Sequence, residues 1–348
     1  NQRDNQMDGY IFLFRSDKRN TSKTVSFFVF DSNGVKTQRD AWCYQFSSHV
    51  VKQNMRRMIE NYNSEMGRFQ VWKTENKSDF SLLRQVEKKR RILSIVNNDP
   101  RYISWTERLC KDVAVGKKHH FDEGCVRQSM FKIFTKQYLY LNKDFNERLS
   151  NNTKLFPLTN TENMVIHIPT DRRKGFWVFA TTLPLNYGIA GIKSLPFYYY
   201  ERKGGVANPS FIQREGIGNA ILSKAQKQYS NGAITKKDIF CYIYGFLHSL
   251  DYKRKYRNSL QKDFPKIPLV EDVSKFHMFC RAGKQLLNLH MYYENVEPYA
   301  KVDISGLDTG DFVLHKMKFA TKIQGMKKEK DKTTIVYNSK IRISNIPL

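Results

Sequence analysis

Past Gly34 the chain carries Phe46, Val50, Val51, Met55, Met58, Ile59 and Tyr62 at intervals of three and four, with Lys52, Arg56 and Arg57 on the other side. That period predicts an amphipathic helix. Ahead of it, the aromatic runs Tyr10–Phe14 and Val25–Phe30 read as short strands joined like a hairpin by the basic stretch Ser16–Lys23. A second helix is expected over Ser78–Val96, with Asp79 near its start and Lys88-Lys89-Arg90-Arg91 near its end, where the helix dipole favours cations. Asn97–Pro100 reads as a turn. From Val126 to Glu201 the pattern is mixed, with strands expected at Tyr138–Leu141, Met164–Ile168, Phe176–Thr181 and Phe197–Tyr200. Helices follow at Lys237–Ser249, Asp251–Asp263, stopped by Pro265 and Pro268, and Val273–His290. The tail, Lys316–Ile343, alternates like paired strands around a Lys-rich loop, Lys327–Lys332. The expected class is α+β: mixed short-stranded sheets with packed helices, an N-terminal hairpin and an amphipathic helix.

Charge changes the picture. Lys and Arg total 59 against 33 Asp and Glu, a net of +26 over 348 residues. Such a field attracts polyanions, of which nucleic acid is the commonest. The competing explanations are an anionic membrane surface and the codon bias of an AT-rich genome. A membrane span is not expected: runs such as Phe27–Phe30 and Phe176–Ala180 fall well short of the ~20 apolar residues a bilayer requires. No signal peptide opens the chain, which starts at Asn1 and reads as a fragment. Cys43, Cys110, Cys125, Cys241 and Cys280 are odd in number and scattered, which suits reduced thiols in a cytoplasm.

Catalytic patterns are sparse. The sequence has no Gly-rich phosphate loop, no acidic-Pro-Pro-aromatic loop of an amino-methyltransferase and no Gly-rich cofactor loop after a strand. His119 and His120 are adjacent and point apart, so no metal site is assigned to them. Asp79 with Glu87-Lys88-Lys89 has the residue types of a metal-dependent nuclease, but both halves fall in one expected helix, whereas that site needs carboxylates on adjoining strands.

Sequence-specific binding needs cations and amides for phosphates, plus Arg, Asn or Gln for base edges. Lys36, Gln38 and Arg39 precede the amphipathic helix; Lys136 and Gln137, then Asn146 and Arg148, flank the strand at Tyr138; Arg172, Arg173 and Lys174 form a turn between strands. These are the candidate DNA contacts, although Arg39 beside Asp40 could equally be a buried ion pair. The basic run Lys253–Arg257 is read as solvated surface.

The strings GVKTQRDAWCYQF from Gly34 and NMRRMIENYN from Asn54 resemble the segment that follows the adenine methyltransferase in single-polypeptide type I (type ISP) restriction enzymes. The likeness continues through VRQSMFKIFTKQYLYLNKDFNERL at Val126, ENMVIHIP at Glu162, RKGFWVFATTLP at Arg173, DIFCYIYGFLHSLDYKRKY at Asp238 and KTTIVYNSKIRISNIPL at Lys332. It implies a target-recognition domain without a catalytic centre of its own, part of a larger phage-defence polypeptide. Residues 1–75 would be a connector on the upstream methyltransferase and 76–348 the recognition domain, in lobes of about 76–230 and 231–348. The implied partners are double-stranded DNA and the methyltransferase. No cofactor is expected in this segment; the parent enzyme would use S-adenosylmethionine, ATP and magnesium. The alternatives are a nonspecific nucleic-acid or scaffold domain and a free-standing metal-dependent nuclease using Asp79 and Glu87.

Overall fold

The computed structural model describes residues 9–17, 25–171, 175–204, 210–314, 316–324 and 327–347. They divide into two compact units, Asn1–Tyr293 and Glu294–Leu348. The class is α+β, with small sheets distributed among helices.

The first unit begins with β1 (Ile11–Phe14), β2 (Ser26–Phe28) and β3 (Ser32–Asn33). The expected hairpin does not form: β1 and β2 run parallel, pairing Phe12 with Ser26 and Phe14 with Phe28. A short turn would impose an antiparallel pair, and the antiparallel partner of β1 is instead a strand near Ile267.

Next come α1 (Asp40–Cys43), β4 (Tyr44–Gln45) and α2 (Ser48–Glu75), which extends the predicted amphipathic helix by several turns and buries Val51, Met55, Met58, Ile59, Tyr62, Met66 and Phe69. The expected helix over Ser78–Val96 is two, α3 (Lys77–Leu82) and α4 (Gln85–Ile95). The break is stabilised locally: the Arg84 N–H donates to Glu87 Oε2 at 2.8 Å, satisfying an amide that α4 leaves open. Glu87 is therefore committed to Arg84 while Asp79 is exposed on another helix, and neither lies on a strand. Helix α5 (Glu107–Ala114) follows, capped by Thr106, whose Oγ1 accepts the Leu109 N–H at 3.4 Å. With β5 (Val126–Lys132) and β6 (Thr135–Tyr140), β4 completes a sheet of order β4-β6-β5. α2, α5 and this sheet enclose one core, and Phe69 and Trp72 of α2 pack on Phe80 of α3 beside it.

The chain continues through α6 (Asn152–Leu155), β7 (Val165–Pro169), β8 (Phe179–Thr181), β9 (Ile192–Pro196), the hairpin β10 (Tyr198–Lys203) and β11 (Ser210–Glu215), then α7 (Asn219–Gln228) and α8 (Lys236–His248). A second core gathers buried residues of β1, β2, β7, β8, β9, α7 and α8. The helix expected over Asp251–Asp263 is again two, α9 (Leu250–Lys255) and α10 (Arg257–Lys262), followed by β12 (Lys266–Ile267) and α11 (Val273–Met291). From Ile239 to Leu247 α8 is buried on every side. It meets α11 through Gly245 and Gly283: a Cβ on Gly283 would lie 1.9 Å from the Cys241 carbonyl oxygen. Only glycine permits that approach.

The second unit is a four-stranded sheet of order β13-β16-β15-β14, from β13 (Asp303–Ser305), β14 (Lys318–Gln324), β15 (Lys327–Val336) and β16 (Arg342–Ser344). The register Gln324 to Lys327 puts Lys327–Lys332 inside β15, not in a loop as the sequence suggested. Among the described residues no helix is long and apolar enough to cross a membrane, and all five cysteines are free.

Candidate nucleic-acid interface

Residues 33–37 are held from two sides. Val35 donates to the Leu185 carbonyl at 2.8 Å and accepts from the Tyr187 N–H at 2.8 Å; Lys36 and Arg148 exchange backbone hydrogen bonds at 3.0 and 2.9 Å. Gly34 is needed here, because a Cβ would lie 2.9 Å from both Leu185 O and Tyr187 N. The result is a cleft of about 420 Å³, lined by Asn33, Gly34, Tyr187 and the 146–150 segment, with Lys36, Arg108, Lys143 and Arg148 as its cations and Glu147 as its acid.

The candidate contacts thus separate. Lys36, Asn146 and Arg148 line this cleft together. Asn146 is 1% exposed and its polar atoms serve the chain: Oδ1 accepts the Asn142 N–H at 2.8 Å, which fixes the turn carrying Lys143. Gln38 is exposed with φ 57, a left-handed conformation uncommon outside glycine. Arg39 is 4% exposed. Its Nη2 donates to Thr106 Oγ1 at 2.7 Å, tying it to the cap of α5, and its guanidinium packs 5.8 Å from the Phe145 ring centre. Burial therefore corrects the expectation that Arg39 and Asn146 meet DNA directly: both shape the cleft from inside. Lys136 and Gln137 lie elsewhere, on β6, where Lys136 Nζ is 5.4 Å from the Tyr293 ring centre. Arg172, Arg173 and Lys174 lie outside the described residues.

Behind the cleft lie buried polar atoms that are not fully satisfied. Arg39 Nε and Nη1 and Glu147 Oε2 are buried without a hydrogen-bond partner among the described residues. Burial lowers the Arg39 pKa, and Cys43, Glu147 and Cys110 oppose the shift. Four cations, Lys36, Arg108, Lys143 and Arg148, against the single acid Glu147 give the cleft wall its positive sign.

Sequence reasoning passed over Arg108 and Lys143. The signal for Arg108 was the cap Thr106 followed by buried Leu109, Cys110 and Val113, which leaves Arg108 and Lys111 outward. It also set aside His119, whose partners are remote in sequence: Nε2 is 2.9 Å from Asp112 Oδ2 and Nδ1 is 3.6 Å from Asp144 Oδ2. These three residues have the donors for a metal ion. Lys117, 3.0 Å from Asp144 and 3.5 Å from Asp112, already supplies a cation there, so the cluster reads as an internal ion-pair network.

Comparison with known proteins gives one reading. The family model described as the Type ISP C-terminal specificity domain matches residues 26–348. A nuclease-deletion mutant of the Type ISP restriction-modification enzyme LlaGI, solved in complex with a DNA substrate mimic, superposes at TM-score 0.76 with 28% identity, over 99% of this chain and 28% of that one. LlaBIII, an ATP-dependent Type ISP restriction-modification enzyme bound to DNA, superposes at 0.76 with 25% identity, over 98% of this chain and 20% of that one. DrdV, in a DNA complex, shares the fold at 0.77 with 21% identity, over 99% of this chain and 32% of that one. The chain thus spans about a third or less of each of these proteins. No curated protein sequence matches it significantly.

Proposed function

The chain belongs to the Type ISP C-terminal specificity domain family, and from that membership we propose that it reads a duplex DNA sequence on behalf of a larger restriction–modification polypeptide. The observation that carries the reading is the match over 99% of the chain to LlaGI in complex with a DNA substrate mimic. The cation-lined cleft at Lys36, Arg108, Lys143 and Arg148 supports it, since phosphate contacts fix the register from which base edges are read.

In this reading the chain performs no chemistry. It positions an adenine-N6 methyltransferase and a translocating nuclease, to which S-adenosylmethionine, ATP and magnesium belong. Residues 1–75 pack on the methyltransferase, and the assembly works in the cytoplasm, where five free thiols persist. The methyltransferase needs its adenine turned out of the stack, so the specificity domain serves by holding the flanking duplex still.

Competition binding tests this with the full chain. A duplex selected from a random pool should displace the pool with a preference on the order of 10³-fold or more at physiological salt. A chain that binds the selected duplex and the pool equally is a nonspecific nucleic-acid domain, and the specificity reading is lost.

A further inference from the structure

Three concavities of the first unit share lining residues and are therefore parts of one surface, with α5 as the common wall. The cleft beside Lys36 reaches α5 at Arg108. Beside it lies a smaller depression of about 340 Å³, lined by Glu107, Arg108, Lys111, Asp112 and Glu147. A third, of about 720 Å³, follows the stripe Glu107, Cys110, Lys111, Ala114 and Val115, and α3 and α4 form its opposite wall. Positions 107, 110, 111 and 114 share one face of a 3.6-residue helix and 108 and 112 the next, so the path circles the exposed side of α5.

Cations line both flanks. On the α4 flank Lys111 is paired with Glu107 at 2.6 Å and Lys73 donates to the Ala114 carbonyl at 2.7 Å. Lys88 lies 5.7 Å from the Phe80 ring centre, while Lys77 and Lys89 make no ion pair among the described residues. The opposite flank carries Lys36, Lys143 and Arg148, with Glu147 as the one acid among them. Between them the crest of α5 exposes Glu107, Arg108 and Lys111, while Leu109, Cys110 and Val113 anchor it in the core.

We propose that α5 faces the major groove of the duplex, with Lys77, Lys88 and Lys89 gripping the phosphates of one strand, Lys36, Lys143 and Arg148 those of the other, and Arg108 turned to a base edge. The dimensions match: a helix with its side chains is ~10–12 Å across, the major groove is ~12 Å wide, and a phosphate row borders it on each side. The third concavity has an apolar floor that would also suit an acidic protein segment. The unpaired cations on both flanks of one exposed helix favour a ligand carrying two rows of negative charge. This proposal rests on the DNA-reading function above and adds the surface that performs it.

The experiment measures affinity of the full chain for a selected duplex and for a random-sequence duplex across a salt series. Lys77→Ala/Lys88→Ala/Lys89→Ala and Lys36→Ala/Lys143→Ala/Arg148→Ala should each weaken both duplexes by the same factor. Each should also flatten the log–log salt dependence by roughly 0.9 for every phosphate that is no longer neutralised. Arg108→Ala should relax discrimination at one base position and leave the others unchanged. These side chains are exposed or half-buried, so unchanged melting temperatures would show that the variants fold. If the wild type discriminates between duplexes but either triple variant retains full affinity and slope, the two-flank seat is wrong while the DNA-reading function stands. A loss on Arg108→Ala that is uniform across sequences overturns the groove-facing orientation. A wild type that binds no duplex overturns the function itself.

Discussion

At the scale of single residues, burial decides between roles that residue type leaves open. Arg39 and Arg148 both stand in polar, basic stretches of sequence, yet one is buried against Thr106 and the other is exposed in the cleft. Arg39→Met should remove the charged hydrogen bond to the cap of α5, at a cost of roughly 2 kcal/mol, the range for a hydrogen bond to a charged group. Arg39 also acts electrostatically on Glu147, whose Oε2 is buried without a hydrogen-bond partner among the described residues, so adding Glu147→Gln should recover part of the loss. A double-mutant cycle by denaturant unfolding measures the coupling. Additive losses would mean that the two groups do not communicate. Lys36 and Arg148 each stood out in the sequence as a cation in a polar stretch, but nothing in it joined the two, because the backbone bonds that bring them together span more than a hundred residues. That Asn146 spends its amide on the turn at Asn142 was not legible, since an asparagine that reads a base and one that closes a turn are the same letter.

At the scale of elements, hydrophobic periodicity located nearly every long helix and missed their interruptions. The apolar period runs on through Leu83 and Arg84, so only the local bond from the Arg84 N–H to Glu87 marks where α3 and α4 part. Pairing partners were also hidden: β1 completes its sheet with β12, about 250 residues away, and no local pattern encodes that choice. Glycines within helices carry information that periodicity discards. Gly245 and Gly283 break no helix; they let α8 and α11 touch, with a Cβ on Gly245 meeting the Phe279 carbonyl oxygen at 2.2 Å. Gly283→Ala should force the two backbones apart and loosen Phe240, Ile243, Phe276 and Leu287, at a cost of about 2–3 kcal/mol. Alanine is the better helix former, so an exposed site would gain ~1 kcal/mol from the same change. A lowered melting temperature therefore identifies the helix contact, and a raised one would refute it.

At the scale of the whole molecule, the net charge of +26 favours a polyanionic partner but does not say where one would bind. Total charge is blind to position, and the cations flanking α5 come from segments more than a hundred residues apart, from Lys36 to Arg148. Burial is just as uneven. Both main cores lie within residues 1–293, whereas among the described residues of 294–348 Ile341 alone is buried. Within that second unit Phe312, Val313, Leu314, Met317 and Ile323 are exposed, although its backbone closes a four-stranded ladder. Ordering a residue costs ~1–2 kcal/mol of backbone entropy, and a sheet that buries one large side chain regains little of it. Residues 294–348 expressed alone should therefore show no cooperative melting by circular dichroism, while residues 1–293 should melt in a sharp transition close to that of the full chain. A cooperative transition in the isolated C-terminal unit would mean that its strand pairing suffices without a core. A 1–293 fragment without one would mean that its two cores do not suffice for cooperative folding.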